Sequence, residues 1–224
     1  MKNSMNIEQA RFNMIEQQIR PWDVLDAGVL SLLAVVRRED FVPPACKALA
    51  FMDTEIPLGD VAAGESMLAP RVEARLLQEL KVARHEKVLE VGTGSGFMAA
   101  LLGHKAQRVI SLEINADLAA SATANLRRAG VMNVSVLNQD GAEGLPGEAP
   151  FDVILLSGSV AEVPAELLAQ LKVGGRLGAI VGGLPVMRAQ VITRVGESDY
   201  RTTTLFDTVA PRLQGFVRRN AFAF

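Results

Sequence analysis

The feature that most constrains the fold is an alternation of short apolar segments with amphipathic ones after residue 87. Buried strands are predicted at residues 88–91, 108–113, 134–138, 151–156 and 176–181. Helical spacing of apolar residues is found at residues 97–104, 116–129 and 164–171. Strands that alternate with helices pair in parallel, and helices cover both faces of the sheet. The pattern predicts an α/β fold with a doubly wound, mostly parallel sheet.

The N-terminal region departs from this alternation. Residues 5–45 carry apolar side chains at helical spacing, and Pro21 marks a break between two helices. Residues 50–70 have little periodicity and several Pro and Gly residues, which is typical of a loop with short extended pieces. A helical pattern resumes at residues 71–80. We expect residues 1–80 to form a helical and loop extension.

The C-terminal region also departs from the alternation. Residues 190–195 and 202–207 resemble two strands, and the turn-forming residues 196–199 separate them. This arrangement predicts a C-terminal β-hairpin and an antiparallel end to the sheet. We expect residues 81–224 to form one α/β domain.

Composition argues against several classes of function. The 224-residue chain has a formal net charge of -2, so it presents no general basic field for nucleic acid. Its apolar stretches are far shorter than the ~20 residues that span a bilayer, and residues 1–11 do not resemble a signal peptide. Cys46 is the only cysteine, and two histidines are scattered without metal-ligand spacing. We expect a cytoplasmic protein that binds neither metal, nucleic acid nor membrane.

A glycine loop follows the first predicted strand of the α/β domain. Its sequence is Gly92-Thr93-Gly94-Ser95-Gly96, directly before a helix. Open α/β sheets bind ligands at this edge, and glycine lets a ligand approach the backbone closely. A phosphate-binding P-loop would need a Lys followed by Ser or Thr, which the stretch after Gly96 lacks. A dinucleotide fingerprint would space its last two glycines three apart, whereas Gly94 and Gly96 are two apart. A purely structural turn remains the alternative on the loop alone.

Three carboxylates near this loop favour a cationic ligand. Glu90 lies on the first strand, Glu113 ends the second, and Asp140 follows the third. Glu113 comes 21 residues after Gly92, where an acid can accept hydrogen bonds from both ribose hydroxyls. Asp140 could accept from an adenine amino group, and acids repel a pyrophosphate. Each acid could instead be a solvated charge at a strand end.

We interpret the site as one for S-adenosyl-L-methionine. The predicted cofactor-binding residues are Glu90, Gly92, Thr93, Gly94, Ser95, Gly96, Glu113, Ile114, Asp140, Gly141 and Ser157.

Four segments resemble the protein-L-isoaspartate O-methyltransferases. Residues 36–43 read VRREDFVP and resemble the family's VPREDFVP, and residues 50–59 resemble its AY-D-LPIG segment. Residues 88–96 match VLEIGTGSG, and residues 171–177 match LKPGGRL. The glycine loop is shared by many methyltransferases, so the N-terminal segments carry the family resemblance. It implies the Class I fold: a seven-stranded Rossmann-like sheet whose active site is covered by the N-terminal extension.

The resemblance also implies a reaction and a partner. The reaction is methyl transfer to the α-carboxylate of an L-isoaspartyl residue in a damaged protein or peptide. The ionised carboxylate can attack without a general base, so positioning and desolvation suffice.

One segment departs from the family pattern. The family reads G-Q-T-I-S-Q-P where this chain has residues 64–70, and the serine usually named as catalytic falls on Leu68. Ser66 lies two positions earlier and shares a face with residue 68 in extended backbone. Ser66 and Leu68 are therefore the candidate catalytic positions. The departure keeps two alternatives open, namely a different acceptor, such as a small molecule, and a non-catalytic relative that binds the cofactor.

Overall fold

The structure, a computed structural model, describes residues 2–216, with side chains from residue 6 onward. Within this part of the chain, a seven-stranded sheet, a two-stranded ribbon and six α-helices form the fold. The end of the predicted α/β domain, residues 217–224, lies outside the described residues. No helix among residues 2–216 combines the length and the apolarity needed to cross a membrane.

The N-terminal region is helical, as the sequence predicts. Its helices are α1 (Lys2–Met14), α2 (Ala27–Val35) and α3 (Pro70–Leu80). A π-helical turn, Ile15–Ile19, and a 3₁₀ turn, Arg20–Trp22, end the first helical stretch at the predicted break, because Pro21 has no backbone N–H to donate. Between α2 and α3, β1 (Ile56–Pro57) and β2 (Ser66–Met67) pair antiparallel. These are the extended pieces expected in residues 50–70.

The seven-stranded sheet has the predicted class of topology. Its strands are β3 (Lys87–Val91), β4 (Arg108–Glu113), β5 (Val134–Asn138), β6 (Phe151–Val160), β7 (Leu171–Gly183), β8 (Val186–Arg194) and β9 (Tyr200–Thr208). Their order across the sheet is β5-β4-β3-β6-β7-β8-β9, and β3 to β7 pair in parallel. The helices α4 (Phe97–Lys105), α5 (Ala116–Arg128) and α6 (Ala165–Ala169) connect parallel strands. The mostly parallel, doubly wound prediction is confirmed.

The C-terminal half of the sheet is more extensive than predicted. The predicted hairpin of β8 and β9 is present, but β8 also pairs antiparallel with β7 along its whole length. The short turn at residues 184–185 joins β7 to β8, and apolar alternation alone does not reveal it. β6 continues to Val160 through a bulge between Leu155 and Ser159, because the segment still pairs with β7 there.

Alternation along the central strands sorts side chains between two cores. Val88 of β3 packs into the core formed with the N-terminal helices and α4, whereas Leu89 and Val91 pack into the core on the opposite face. Glu90 therefore lies on the same face as Val88. The helix α4 is apolar all round and its first seven residues are buried. The N-terminal extension thus covers the face of the sheet that carries Glu90.

Candidate functional site

The glycine loop connects β3 to α4 at the carboxyl edge of the sheet. Gly92, Gly94 and Gly96 have φ angles of 90°, 54° and 85°, a region that residues with a β-carbon rarely adopt. Gly92 N donates to Leu112 O at 2.8 Å, which fixes the loop to β4. Ser95 is buried, and its Oγ accepts from Phe97 N at 3.4 Å. The loop is thus held from both sides, as expected for a ligand cradle.

A cavity, which we call the central cavity, opens above this loop. Its walls come from four places: the glycine loop, the end of β4, the β1–β2 ribbon with its connecting loop, and the C-terminal segment. The predicted site residues that line it are Gly92, Gly94, Glu113, Ile114, Gly141, Ser157 and Ser66. The structure therefore brings seven of the predicted positions to one cavity.

Glu113 lies at the edge of the central cavity, where β4 ends. Its side chain is nearly buried, and its two oxygens accept from Gly94 N at 2.8 Å and from Asn115 N at 3.0 Å. Asn115 also caps α5, because its Oδ1 accepts from the backbone N–H groups of Asp117 and Leu118. The carboxylate is therefore fixed in position beside the glycine loop.

Asp140 occupies a different position from Glu113. Its side chain is exposed, its Oδ1 accepts from Ala142 N at 2.9 Å, and it lines a neighbouring acidic groove. The adjacent Gly141 is buried and lines the central cavity, where a β-carbon would lie 2.4 Å from Val91 Cγ1. Asp140 is thus at the rim of the cavity, and its contact with adenine remains a prediction.

Glu90 is fully buried in a hydroxyl network that the sequence only partly revealed. Ser157 Oγ donates to Glu90 Oε1 at 2.7 Å, and Ser111 Oγ donates to Glu90 Oε2 at 2.6 Å. Thr93 Oγ1 lies 2.6 Å from Ser111 Oγ. Burial raises the pKa of the Glu90 carboxyl to about 7 against the lowering effect of these hydroxyls. Ser111 was not predicted, although strand alternation places it on the face of Glu113.

The two candidate catalytic positions have different surroundings. Ser66, in β2, is half-buried and lines the central cavity. Leu68 is buried and does not line that cavity, but it lines a smaller space around Thr93 and Phe97, which we call the inner cavity. Ser66 and Ser157 line both spaces. Of the two candidate positions, only Ser66 brings a hydroxyl to the central cavity.

A buried ion pair holds the segment around Leu68. Arg38 Nη2 donates to Leu68 O at 2.8 Å, Arg38 Nη1 pairs with Glu73 of α3, and the guanidinium lies 5.0 Å from the centre of the Phe97 ring. Burial raises the pKa of the Glu73 carboxyl despite this pairing. Arg38 belongs to the family-like segment 36–43, and the sequence pattern did not predict its contact with Leu68.

The C-terminal segment, residues 209–216, closes the central cavity, and we call it the clasp. It joins β6 through Ser159 N, which donates to Pro211 O at 2.7 Å, and through Leu213 N, which donates to Ser159 O at 2.9 Å. Leu213 covers the glycine loop so closely that a β-carbon on Gly92 would lie 2.6 Å from its Cδ2. Gln214 Nε2 donates to Ala63 O at 3.1 Å, which joins the clasp to the N-terminal extension. No pattern in the sequence predicted that residues 209–216 would line the cavity.

The residues at the central cavity fit S-adenosylmethionine. Leucine side chains from positions 58, 112, 118 and 213 supply apolar surface for a nucleoside. Glu113 brings two carboxylate oxygens to the edge of the cavity, and neither the loop nor the first turn of α4 carries a basic side chain. Arg212 is the one basic residue in the lining, and its Nη2 donates to Gly182 O at 2.7 Å. Residues 2–216 contain no cluster of three or more His, Cys, Asp or Glu suited to a metal ion.

The sheet, the glycine loop and the acid that ends β4 define a Class I S-adenosylmethionine-dependent methyltransferase. The family model for protein-L-isoaspartate(D-aspartate) O-methyltransferase matches residues 9–209. The chain belongs to this family, and the resemblance seen in the sequence is confirmed.

Individual relatives agree with the family model. A protein-L-isoaspartate O-methyltransferase of Koribacter versatilis is 39% identical over 197 residues, covering 88% of this chain and 87% of the relative. One from Methanoculleus marisnigri is 40% identical over 172 residues, covering 77% of each. A Plasmodium falciparum protein-L-isoaspartate O-methyltransferase, solved with S-adenosyl-L-homocysteine, superposes with a TM-score of 0.75 at 21% identity and covers 90% of this chain and 97% of that one. The last similarity supports the fold.

Proposed function

We propose that this enzyme transfers a methyl group from S-adenosylmethionine to the α-carboxylate of L-isoaspartyl residues in damaged proteins. The observation that carries the proposal is that one cavity is lined both by the glycine loop with Glu113 and by Ser66, which lies beside the position of the family serine. The family match over residues 9–209 supports the same substrate class.

For methyl transfer to a carboxylate, the main task of the side chains is to position the two reactants. Bound S-adenosylmethionine supplies an electrophilic methyl group on a sulfonium. The acceptor carboxylate is ionised at neutral pH and the thioether that methyl transfer would release is neutral, so no side chain has to remove or supply a proton. Leu58 and Leu213 lie over the glycine loop and exclude water, which strengthens the attraction between the reacting charges.

Roles follow from position in the cavity. We assign the glycine loop to cradle the cofactor, Glu113 to the ribose hydroxyls, and Ile114, Asp140 and Gly141 to the adenine. Ser66 donates a hydrogen bond from its hydroxyl to the acceptor carboxylate. Leu68 supplies apolar packing where the family has the serine hydroxyl.

A second candidate function is methylation of a different acceptor by the same cavity. Leu68 favours it, because the apolar side chain removes a hydrogen-bond donor worth about 1–3 kcal/mol at the position where the family docks a carboxylate.

The test uses two peptides that differ only in one linkage. The enzyme, tritiated S-adenosylmethionine and an isoaspartyl peptide should give base-labile tritiated methyl ester, whereas the normal aspartyl peptide should give none. Equal labelling of both peptides, or no labelling, contradicts the isoaspartyl assignment. Label in a base-stable product from a small-molecule acceptor favours the second candidate.

Two further proposals concern organisation and location. We propose that residues 1–80 act as a cover over the acceptor side of the cavity, supported by the contribution of Leu58 and Ser66 to its walls. We also propose a cytoplasmic location, supported by a single cysteine, Cys46, which excludes an intrachain disulfide.

A further inference from the structure

The loop that connects β1 to β2, residues 58–65, forms part of the wall of the central cavity, and we call it the ribbon loop. Leu58 N donates to Glu65 O at 2.9 Å, so the two ends of the loop are held together. Leu58 lies over the glycine loop, where a β-carbon on Gly94 would be 3.2 Å from Leu58 Cδ1. Ser66 follows the ribbon loop directly and lines the cavity. The position of this loop therefore determines where both side chains stand in the cavity.

Glu65 joins the ribbon loop to the α/β domain. Its Oε1 accepts from Asn115 Nδ2 at 2.7 Å, and its Oε2 accepts from Asp60 N at 2.7 Å. The carboxylate folds back over the loop so closely that a β-carbon on Gly59 would clash with Glu65 Oε2. Asp60 carries the other polar side chain of the loop, and its Oδ1 accepts from Ala62 N inside the loop. Glu65 is thus the side chain that connects the ribbon loop to the start of α5.

The orientation of Asn115 is fixed by the helix that it caps. Its Oδ1 accepts from Asp117 N at 2.9 Å and from Leu118 N at 3.2 Å, which caps α5. Because the oxygen and the nitrogen of an amide share one carbon, this cap turns Nδ2 toward Glu65. The backbone N–H of Asn115 donates to Glu113 Oε1 at 3.0 Å. One residue therefore contacts both the acid that ends β4 and the carboxylate of the ribbon loop.

We propose that Glu65 is a positioning residue that, through its bond to Asn115, holds the ribbon loop closed over the glycine loop and keeps Ser66 in place for the methyl acceptor. The inference rests on the proposed function, which assigns Ser66 to the acceptor carboxylate. A hydrogen bond to an ionised carboxylate is stronger than one between neutral groups, so a single bond can hold a short loop. The bond joins a loop that has little regular structure to a helix end that the sheet positions.

The first test does not depend on the acceptor. It follows amide hydrogen exchange of residues 58–66 in the ligand-free full chain. Glu65→Ala should raise the exchange rates about tenfold, because the N–H groups of Leu58 and Gly59 stay bonded to Glu65 O only while the loop is held. Glu197→Ala removes an exposed acid between β8 and β9 and should leave these rates unchanged.

The conservative variant separates the hydrogen bond from the charge. Glu65→Gln keeps an oxygen that can accept from Asn115 Nδ2, and the exposed Asp60 N–H can donate to water instead. Its exchange rates in residues 58–66 should stay within about threefold of wild type.

Asn115→Ser removes the same bond from the other side. A serine oxygen still caps α5, but it has no amide nitrogen that reaches Glu65. Exchange in residues 58–66 should rise as much as in Glu65→Ala. The double variant Glu65→Ala/Asn115→Ser should exchange no faster than either single variant, because both substitutions remove one shared bond.

Steady-state kinetics separate positioning from a general loss of structure. Glu65→Ala should raise the KM for an isoaspartyl peptide about fivefold and change the Kd for S-adenosylhomocysteine less than about twofold, because Glu113 keeps both of its backbone donors. Glu65→Gln should bring the KM back to within about twofold of wild type. A merely structural role would change KM and Kd together.

Three results would overturn the inference. They are unchanged exchange of residues 58–66 in Glu65→Ala, effects of Glu65→Ala and Asn115→Ser that add in the double variant, and a KM that Glu65→Gln fails to restore. Absence of methyl transfer to the isoaspartyl peptide in the wild-type enzyme would remove the proposed acceptor. The exchange results would then still decide whether Glu65 holds the ribbon loop.

Discussion

The two sides of the central cavity are built in different ways. On the cofactor side, Gly92 and Glu113 are at the ends of adjacent parallel strands, so the pairing of β3 with β4 fixes their separation. On the side that we propose for the methyl acceptor, which we call the acceptor side, Ser66 belongs to a two-residue strand and Leu213 belongs to a segment without regular structure. The cofactor side is positioned by the sheet, whereas the acceptor side is positioned by a few separate backbone and side-chain contacts between short segments.

This difference predicts which side of the cavity keeps its geometry when a residue is substituted. A strand end moves only if the sheet moves, so substitutions there alter binding chemistry and leave geometry intact. The acceptor side depends on single contacts, such as Arg38 with Leu68 O and Asn115 Nδ2 with Glu65 Oε1 at 2.7 Å. Loss of one such contact should displace a whole segment.

The largest expected effect comes from the ion pair that holds the acceptor side. Arg38→Met leaves Glu73 buried without a cation and should lower the free energy of unfolding by about 3–5 kcal/mol in urea titrations. The double variant Arg38→Met/Glu73→Leu should recover most of the lost free energy of unfolding, because it leaves no unpaired buried charge. The exposed pair Arg188 and Asp207 is the control, and Arg188→Met should cost less than about 1 kcal/mol. Equal losses in the free energy of unfolding for Arg38→Met and Arg188→Met would contradict a special role of the buried pair.

The next effect concerns stability on the cofactor side. Glu90 has a pKa of about 7 in the folded enzyme and an ordinary value of 4.5, so the folded state binds the extra proton between these values. Stability of the ligand-free enzyme should therefore fall as the pH rises from 5 to 8, by roughly 3 kcal/mol. Glu90→Gln should remove this slope and be more stable than wild type at pH 8. Denaturant unfolding of both proteins at several pH values measures this dependence. The same slope of stability against pH in wild type and Glu90→Gln would contradict the assignment of the slope to Glu90.

Glu113→Gln should weaken cofactor binding. Loss of the ribose-accepting charge should raise the Kd for S-adenosylhomocysteine by roughly 10- to 100-fold, equivalent to about 1.5–3 kcal/mol. The melting temperature should fall modestly as well, because the glutamine oxygen accepts from only one of the backbone N–H groups of Gly94 and Asn115 and its NH2 faces the other. Asp117→Asn, an exposed acid in the first turn of α5, is the control. An unchanged Kd refutes the ribose role.

The smallest effect is expected at Ser66. Ser66→Ala should raise the KM for an isoaspartyl peptide about fivefold, about 1 kcal/mol for one hydroxyl, and should leave the Kd for S-adenosylhomocysteine unchanged. Ser135→Ala, at an exposed position of β5, is the control. A change in cofactor affinity instead of peptide KM would place Ser66 on the cofactor side.

The sequence was informative where function depends on strand ends. The alternating pattern predicted β3 and β4, and with them the positions of the glycine loop and Glu113, because sheet pairing converts sequence order into spatial order. Ser111 could have been found by the same alternation from Glu113. The position of Asp140 was less predictable, since its side chain orientation depends on the turn after β5 and not on the strand itself.

The acceptor side was largely invisible to pattern reasoning. Leu213 and Gly92 are more than a hundred residues apart, and no periodicity connects them. The contact of Arg38 with Leu68 O is likewise a tertiary contact between two irregular segments. Such contacts follow from packing of the whole fold, which local spacing does not encode.

The clasp has a consequence for the order in which the enzyme is made. After the edge strand β9, the chain returns past β8 and β7 to bond with Ser159 of β6 and to cover Gly92. Residues 210–214 leave the ribosome only after all seven strands of the sheet have emerged. The glycine loop and Glu113 can be in place early in synthesis, but the wall formed by Leu213 cannot. The cavity is therefore completed only after every strand of the sheet has been synthesised, and a chain truncated after β9 would have an intact sheet with its cofactor crevice open to water.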